Sequence, residues 1–181
     1  MILIVNVCKE KLHYYEFVKP IEDILSREGV AFFTKHYSEI GRRDLSKAGK
    51  VIICGTSLRD NKFMEDIREF EWVRDFEKPL LGICAGMQII GVINGGESVE
   101  GQEIGYFYEE FRKKFMGLKG KVEVYHLHNS FVKFPGEFMV YAGDEIAQAV
   151  KHKSKECYGV LFHPEVRQKE MVMEFIKNGD C

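Results

Sequence analysis

Pro79-Leu80-Leu81-Gly82-Ile83-Cys84-Ala85-Gly86-Met87-Gln88-Ile89-Ile90-Gly91 is the stretch on which the fold turns. An apolar run stops at a cysteine that has a glycine two positions before it and another two after, and a helix-like apolar pattern follows. Gly-x-Cys-x-Gly is the cysteine form of the nucleophile elbow, a tight strand-to-helix turn that pushes one side chain clear of the backbone. Bulk at 82 or 86 would block the close approach of strand and helix on which such a turn depends. A helix that begins just after Cys84 aims its free amides and positive dipole end at the sulfur, which favours the thiolate. The bland alternative is a buried cysteine in a core strand that happens to end in glycines.

Upstream, the chain alternates strand and helix signals. Residues 2–7 are an almost continuous apolar run, as for a strand covered on both faces. Residues 12–28 carry Phe17, Ile21, Ile24 and Leu25 at helical spacing and end at Gly29, a good helix stop. Pro20 inside that span predicts a kink or a helix that properly begins there. Residues 30–37 and 51–54 read as strands, the second running into Gly55-Thr56-Ser57, and residues 61–76 read as one helix with Phe63, Met64, Ile67, Phe70 and Val73 on its apolar face. Strand 80–83 and helix 85–93 complete the series. This order predicts an α/β fold with a mostly parallel central sheet and helices on both faces.

From about residue 97 short strand candidates at 103–111, 121–125, 131–134, 138–142 and 146–150 are divided by glycine, proline and charge. They predict a small antiparallel region in the second half of the chain. Residues 157–162 read as a final buried strand and 167–177 as a closing helix. No linker, repeat or low-complexity tract interrupts residues 1–181, so one domain is expected.

Composition narrows the function. A net charge of −2 over 181 residues argues against nucleic acid or an anionic membrane as the main partner. No apolar run approaches the ~20 residues of a membrane span, and the N-terminus reads as a first strand, not a leader. Five cysteines, odd in number and widely spaced with no CxxC pair, fit free thiols in a reducing cytoplasm and carry no zinc signature. Cys8, Cys54 and Cys157 border apolar strands and read as small buried hydrophobes. Nothing resembles a GxGxxG or P-loop, so no cofactor is expected. His126 and His128 would share a face of a strand and together grip a metal. With no third ligand near them at ligand spacing, no metal is expected. The charged run 109–114 reads as a solvated face.

An activated cysteine needs a base and something to hold that base in one tautomer. His163 follows the last strand directly in Tyr158-Gly159-Val160-Leu161-Phe162-His163-Pro164-Glu165-Val166. It therefore sits at a strand's carboxyl end, as Cys84 does, which is where open α/β sheets bind ligands. If the chain there is extended, residues 163 and 165 project to one side, and the Glu165 carboxylate reaches one imidazole nitrogen while the other faces the thiol. The alternative is a charged surface turn.

Gly82-Ile83-Cys84-Ala85-Gly86-Met87-Gln88 together with the 158–166 segment resembles a class I (triad) glutamine amidotransferase domain over nearly the whole chain. Gln102-Glu103-Ile104-Gly105 and His128-Asn129-Ser130-Phe131-Val132 resemble two shorter elements of that family. The stretch Ala149-Val150-Lys151-His152-Lys153 before the last strand is closest to the separate glutaminase subunits of archaeal-type GMP synthetase, a purine-biosynthesis enzyme, whereas residues 9–44 match that branch poorly. Cys54-Gly55-Thr56 stands where the family has Gly-Gly-Pro, Leu161 replaces a glutamine, and Met87 a histidine or tyrosine. The resemblance implies a flavodoxin-like fold and a Cys84, His163, Glu165 triad hydrolysing L-glutamine through a thioester. It also implies an oxyanion hole from the N–H groups of Gly55 and Ala85, and substrate held by Gln88 and the backbone at Ser130 and Phe131. The chain has no room for an ATP-using acceptor domain, so the ammonia is expected to pass to a separate ATP-dependent synthetase. A stand-alone hydrolase of a γ-glutamyl compound and a non-catalytic glutamine-binding relative remain as alternatives.

Overall fold

Ile2, Leu3, Ile4 and Val5 are all buried, and they alternate between two apolar layers: Ile2 and Ile4 with Ile52 and Leu81 on one side, Leu3 and Val5 with Val51, Ile53 and Leu80 on the other. Such a strand needs cover on both faces, and the computed structural model, which describes residues 1–177, supplies it. Strands β1 (Ile2–Asn6), β2 (Phe32–His36), β3 (Lys50–Ile53), β4 (Leu80–Ile83) and β9 (Cys157–Val160) run parallel, while β8 (Ala149–His152) and β7 (Phe138–Ala142) add antiparallel strands at one edge. The sheet order is β2-β1-β3-β4-β9-β8-β7. Helix Lys19–Arg27 and the closing helix Lys169–Lys177 bury Ile21, Leu25, Val172 and Phe175 on the first face; helix Ala85–Ile93 buries Ile89 and Ile90 on the second. A fully buried side chain of this size contributes about 1.5–3 kcal/mol. No helix among the described residues is long and apolar enough to cross a membrane.

The mostly parallel sheet, the two-sided helical cover and the late antiparallel strands agree with the expectation. Several details do not. Residues 12–28 are three pieces, helix Lys11–His13, a π-helical turn Tyr14–Val18 and helix Lys19–Arg27. Pro20 stands in the first turn of that last helix, where its missing N–H costs nothing. Gly29, at φ 67°, ends it. The single helix expected over 61–76 is broken into Lys62–Glu65, a 3₁₀ segment Ile67–Phe70 and Trp72–Asp75, which keeps Phe63, Phe70 and Val73 facing the core while the backbone tightens. Helix Arg42–Lys47 has no counterpart among the sequence expectations. The closing helix is likewise preceded by a separate turn, Pro164–Arg167.

The largest difference lies at 97–133. The strand candidates 103–111, 121–125 and 131–134 merge into one long hairpin, β5 (Glu97–Phe115) and β6 (Leu118–Lys133). Its turn places Met116 at φ 43° and Gly117 at φ 85°, the consecutive left-handed residues of a two-residue hairpin loop. The charged run leading into that turn is solvated as expected: residues 110 and 112–114 are exposed, and Phe111 alone among residues 109–114 is buried.

Candidate active site

Cys84 has φ 49° and ψ −103°, a backbone conformation that costs an L-residue about 1–3 kcal/mol and survives only where its surroundings enforce it. Two close approaches do the enforcing. A Cβ on Gly82 would lie 2.4 Å from the Gly86 carbonyl carbon, and one on Gly86 would lie 2.2 Å from the Ile53 oxygen. Strand β4 and the helix that follows can therefore meet only through glycines. The Cys84 N–H donates to the Val160 carbonyl at 2.8 Å, tying the elbow to β9, and the Cys84 carbonyl accepts from Gln88 N–H at 3.0 Å as the first helical bond. Ala85 is the first helical residue, so its N–H has no acceptor within the helix. The Cys84 thiol points at the Leu127 carbonyl on β6, 3.6 Å away.

His163 comes off the end of β9 two residues after Leu161 and is 1% exposed. Its Nδ1 lies 2.7 Å from Oε1 of Glu165, with both side chains buried. The route differs from the one expected. His163 is extended, but Pro164–Arg167 forms a helical turn with proline at its start, so the turn and not strand alternation brings Glu165 back to the ring. Burial works against a charged His163; the facing charges of Glu165 and Cys84 outweigh it and hold the imidazole well above its usual 6.5. Nε2 of His163 has no hydrogen-bond partner among the described residues. Phe17 packs against the ring at 5.3 Å between centroids.

Gly55 joins these two groups. A Cβ there would sit 2.7 Å from Cε1 of His163 and 3.3 Å from Cβ of Cys84, so imidazole and cysteine flank the same glycine. The loop beyond it is held by Asp60, whose buried carboxylate accepts from the Thr56 hydroxyl at 2.8 Å and from the Lys9 N–H at 2.7 Å. Asn129 Nδ2 donates to the Leu58 carbonyl at 2.8 Å and ties the same loop to β6. Sequence reading did not single out Asp60, Leu127 or Asn129; each acts across a loop or strand pairing that no local pattern announces.

A cavity of about 20 Å³ lies against Cys84, with Thr56, Ala85, Leu127 and His128 in its walls. That is room for about one water. A much larger groove of about 840 Å³ adjoins it, and Asn61, Phe63, Gln88 and Asn129 line both. Gln88 is buried and donates through Nε2 to the Ser130 carbonyl at 2.9 Å. Ser130 lines the groove, but Phe131 lines neither space: it pairs with Val99 in the hairpin and packs on Gly101.

Among the other cysteines, burial pushes the thiols of Cys8 and Cys157 up to about 11 and about 12, and that of Cys54 well above its usual value. Cys181 lies outside the described residues. The absence of a third ligand for His126 and His128 is overturned: hairpin pairing places Glu103, more than twenty residues earlier, beside both rings. The arrangement at Cys84 offers a thiol, an imidazole that flanks the same glycine, and a carboxylate on one imidazole nitrogen. It is equipped for acyl transfer.

The glutamine amidotransferase class-I profile matches residues 14–180. A glutamine-hydrolyzing GMP synthase subunit of Pyrococcus furiosus is 34% identical over 138 residues, 72% of this chain and 72% of that one. The same subunit of Methanosarcina acetivorans is 30% identical over 169 residues, 89% of this chain and 77% of that one. A crystal structure of a glutamine amidotransferase from Thermotoga maritima superposes with a TM-score of 0.72 at 21% identity, over 97% of this chain and 80% of that one. The chain belongs to the class-I glutamine amidotransferase family.

Proposed function

We propose that this chain is a glutaminase subunit in which Cys84 is the nucleophile, His163 the proton carrier and Glu165 the group that orients it. The observation that supports this most is the union of three features at one point: a cysteine strained to φ 49° at a helix start, a buried imidazole whose Nε2 is unpaired, and a carboxylate 2.7 Å from its other nitrogen. The thiolate attacks the side-chain carbonyl carbon of L-glutamine. His163 delivers its proton to the departing nitrogen, and ammonia leaves as a γ-glutamyl thioester forms. His163 then takes a proton from water, which attacks the thioester and frees glutamate and the sulfur. The oxyanion of each tetrahedral stage lies between the N–H groups of Gly55 and Ala85, where one donor is typically worth about 3 kcal/mol. Gln88 and the Ser130 backbone bound the groove through which the amino-acid end of the substrate extends.

The ammonia passes to a separate ATP-dependent synthetase, and the similarity to GMP synthase subunits favours a synthetase of that kind. The similarity to subunits that work beside a synthetase favours this reading over a stand-alone hydrolase. One domain over residues 1–181 suffices for the glutaminase half, in a reducing cytoplasm that keeps its thiols free.

A glutamine-like diazoketone reports on the nucleophile and on the partner at once. It is expected to add one covalent mass at Cys84, and glutamate release is expected to rise sharply when the cognate synthetase is added. Absence of labelling with the partner present would defeat the enzyme reading. Fast unaided turnover of γ-glutamyl amines, with no response to the synthetase, would assign the chain to the stand-alone hydrolases.

A further inference from the structure

The hairpin holds a cluster of ligand-type side chains outside the Cys84, His163 and Glu165 set. Nε2 of His128 lies 2.8 Å from Oε2 of Glu103, and Nδ1 of His126 lies 3.8 Å from the same oxygen. The three ligand atoms fall within 4.8 Å of one another. An ion bonded to three such atoms at about 2.0–2.1 Å in a tetrahedron would hold them roughly 3.4 Å apart. The two separations from Glu103 straddle that value, and the two ring nitrogens, within 4.8 Å of each other, would draw together by up to about 1.4 Å to seat an ion.

The imidazoles are also turned as metal ligands are turned. A ligating histidine donates its second N–H to a carbonyl or a carboxylate, which fixes the tautomer and the ring. Nδ1 of His128 is 3.2 Å from the Gly101 carbonyl, and Nε2 of His126 is 3.2 Å from Oε1 of Glu109. One histidine has each kind of outer partner. The inner side, by contrast, is incomplete. Among the described residues, Nδ1 of His126 and Oε1 of Gln148 are buried without a hydrogen-bond partner, although Gln148 Nε2 already donates to Glu103 Oε2 at 2.6 Å. Both imidazoles are fully buried while Glu103 keeps 21% of its side chain exposed, which leaves a route for an ion past the carboxylate.

We propose that Glu103, His126 and His128 bind one divalent transition-metal ion of the zinc class, with the fourth position open to water, or to the Gln148 oxygen once that amide turns over. The ion pins β5 to β6 directly behind Leu127, whose carbonyl receives the Cys84 thiol. Its binding does not depend on whether Cys84 turns over glutamine.

The untagged full chain, stripped by a chelator, is titrated with Zn²⁺ by calorimetry and with Co²⁺ by visible absorption. One equivalent is expected to bind, with the d–d bands of a four-coordinate nitrogen and oxygen site and no thiolate-to-cobalt charge transfer. Cys84→Ala is expected to retain that equivalent and His126→Ala to lose it. Glu109→Gln, which disturbs only the outer partner of His126, is expected to weaken binding about 10–100-fold. Should His126→Ala fail to give a folded circular-dichroism spectrum, His126→Gln is read in its place. Failure of the parent chain to bind, a thiolate band, loss of binding in Cys84→Ala, or full binding in His126→Gln would each overturn the proposal.

Discussion

Replacing Gly55 by alanine tests the packing of the site without removing any reacting group. The added Cβ would lie 2.7 Å from Cε1 of His163 and 3.3 Å from Cβ of Cys84. Carbon atoms settle about 3.5–4.0 Å apart, so the contact with His163 must lengthen by roughly 1 Å. His163 has little freedom to yield, because Glu165 holds its Nδ1 at 2.7 Å and Phe17 packs against the ring. A misplacement of about 1 Å in a reacting geometry costs about 100-fold in rate. The overlap itself costs about 1–3 kcal/mol, and for a chain of this size each kcal/mol lowers Tm by roughly 2–4 °C. Alanine keeps the residue-55 N–H, so the loss would report displaced geometry and not a missing oxyanion donor. Glutamate release in the presence of the synthetase gives kcat, and a thermal melt gives Tm. Gly136→Ala is the control, since a Cβ there meets nothing within 4 Å. A Gly55→Ala chain with the parent's kcat and Tm would refute the packing argument outright.

Cys84→Ala is expected to fold and to release no glutamate. Cys84→Gly, which relieves the strain at φ 49°, is expected to be no less stable to denaturant than Cys84→Ala, although glycine usually costs up to about 1 kcal/mol relative to alanine; a normal glycine deficit would mean the elbow is unstrained. Glu165→Gln is expected to lower kcat by about 10⁴-fold, as loss of the orienting carboxylate does in serine-protease triads, and near-parent turnover would remove Glu165 from its assigned role. The same variant carries a pH signature. His163 is raised well above 6.5 in the folded chain, so its contribution to stability is complete below pH 6.5 and is lost as pH climbs through the folded value. Denaturation across that range should show the parent losing stability with rising pH and Glu165→Gln losing less; equal slopes would show that the pair is not coupled.

The strand–elbow–helix unit was fully legible because its chemistry is local. Gly82, Cys84 and Gly86 impose the turn whatever surrounds them, and β4 and the helix Ala85–Ile93 fall where the sequence puts them. The meeting of Cys84, His163 and Gly55 was legible as well, since all three sit at carboxyl ends of parallel strands. Residues 61–76 misled for a physical reason: Phe63, Ile67, Phe70 and Val73 keep a near-helical period even where the backbone has tightened to 3₁₀. The hairpin misled because the glycine and charge between candidates 103–111 and 121–125, read as a division, include Gly120, which is accommodated within a paired strand at φ 70°. Missing that pairing also hid Glu103 from His126 and His128, because contact across a hairpin leaves no trace in local spacing.

The small space beside Cys84 bears on how the proposed glutaminase would be held in check. At about 20 Å³ beside the 840 Å³ groove, it is a narrow end that the amide of a bound glutamine would have to widen, and a partner that widened it would raise the rate. If the proposed synthetase does that widening, ammonia would be made only when the two proteins are engaged. The ratio of idle to engaged rates becomes a gauge of the gate: a thousandfold activation would correspond to a coupling of about 4 kcal/mol between the two proteins. By reciprocity a glutamine analogue seated at Cys84 would tighten the grip of one protein on the other by whatever part of that coupling resides in binding.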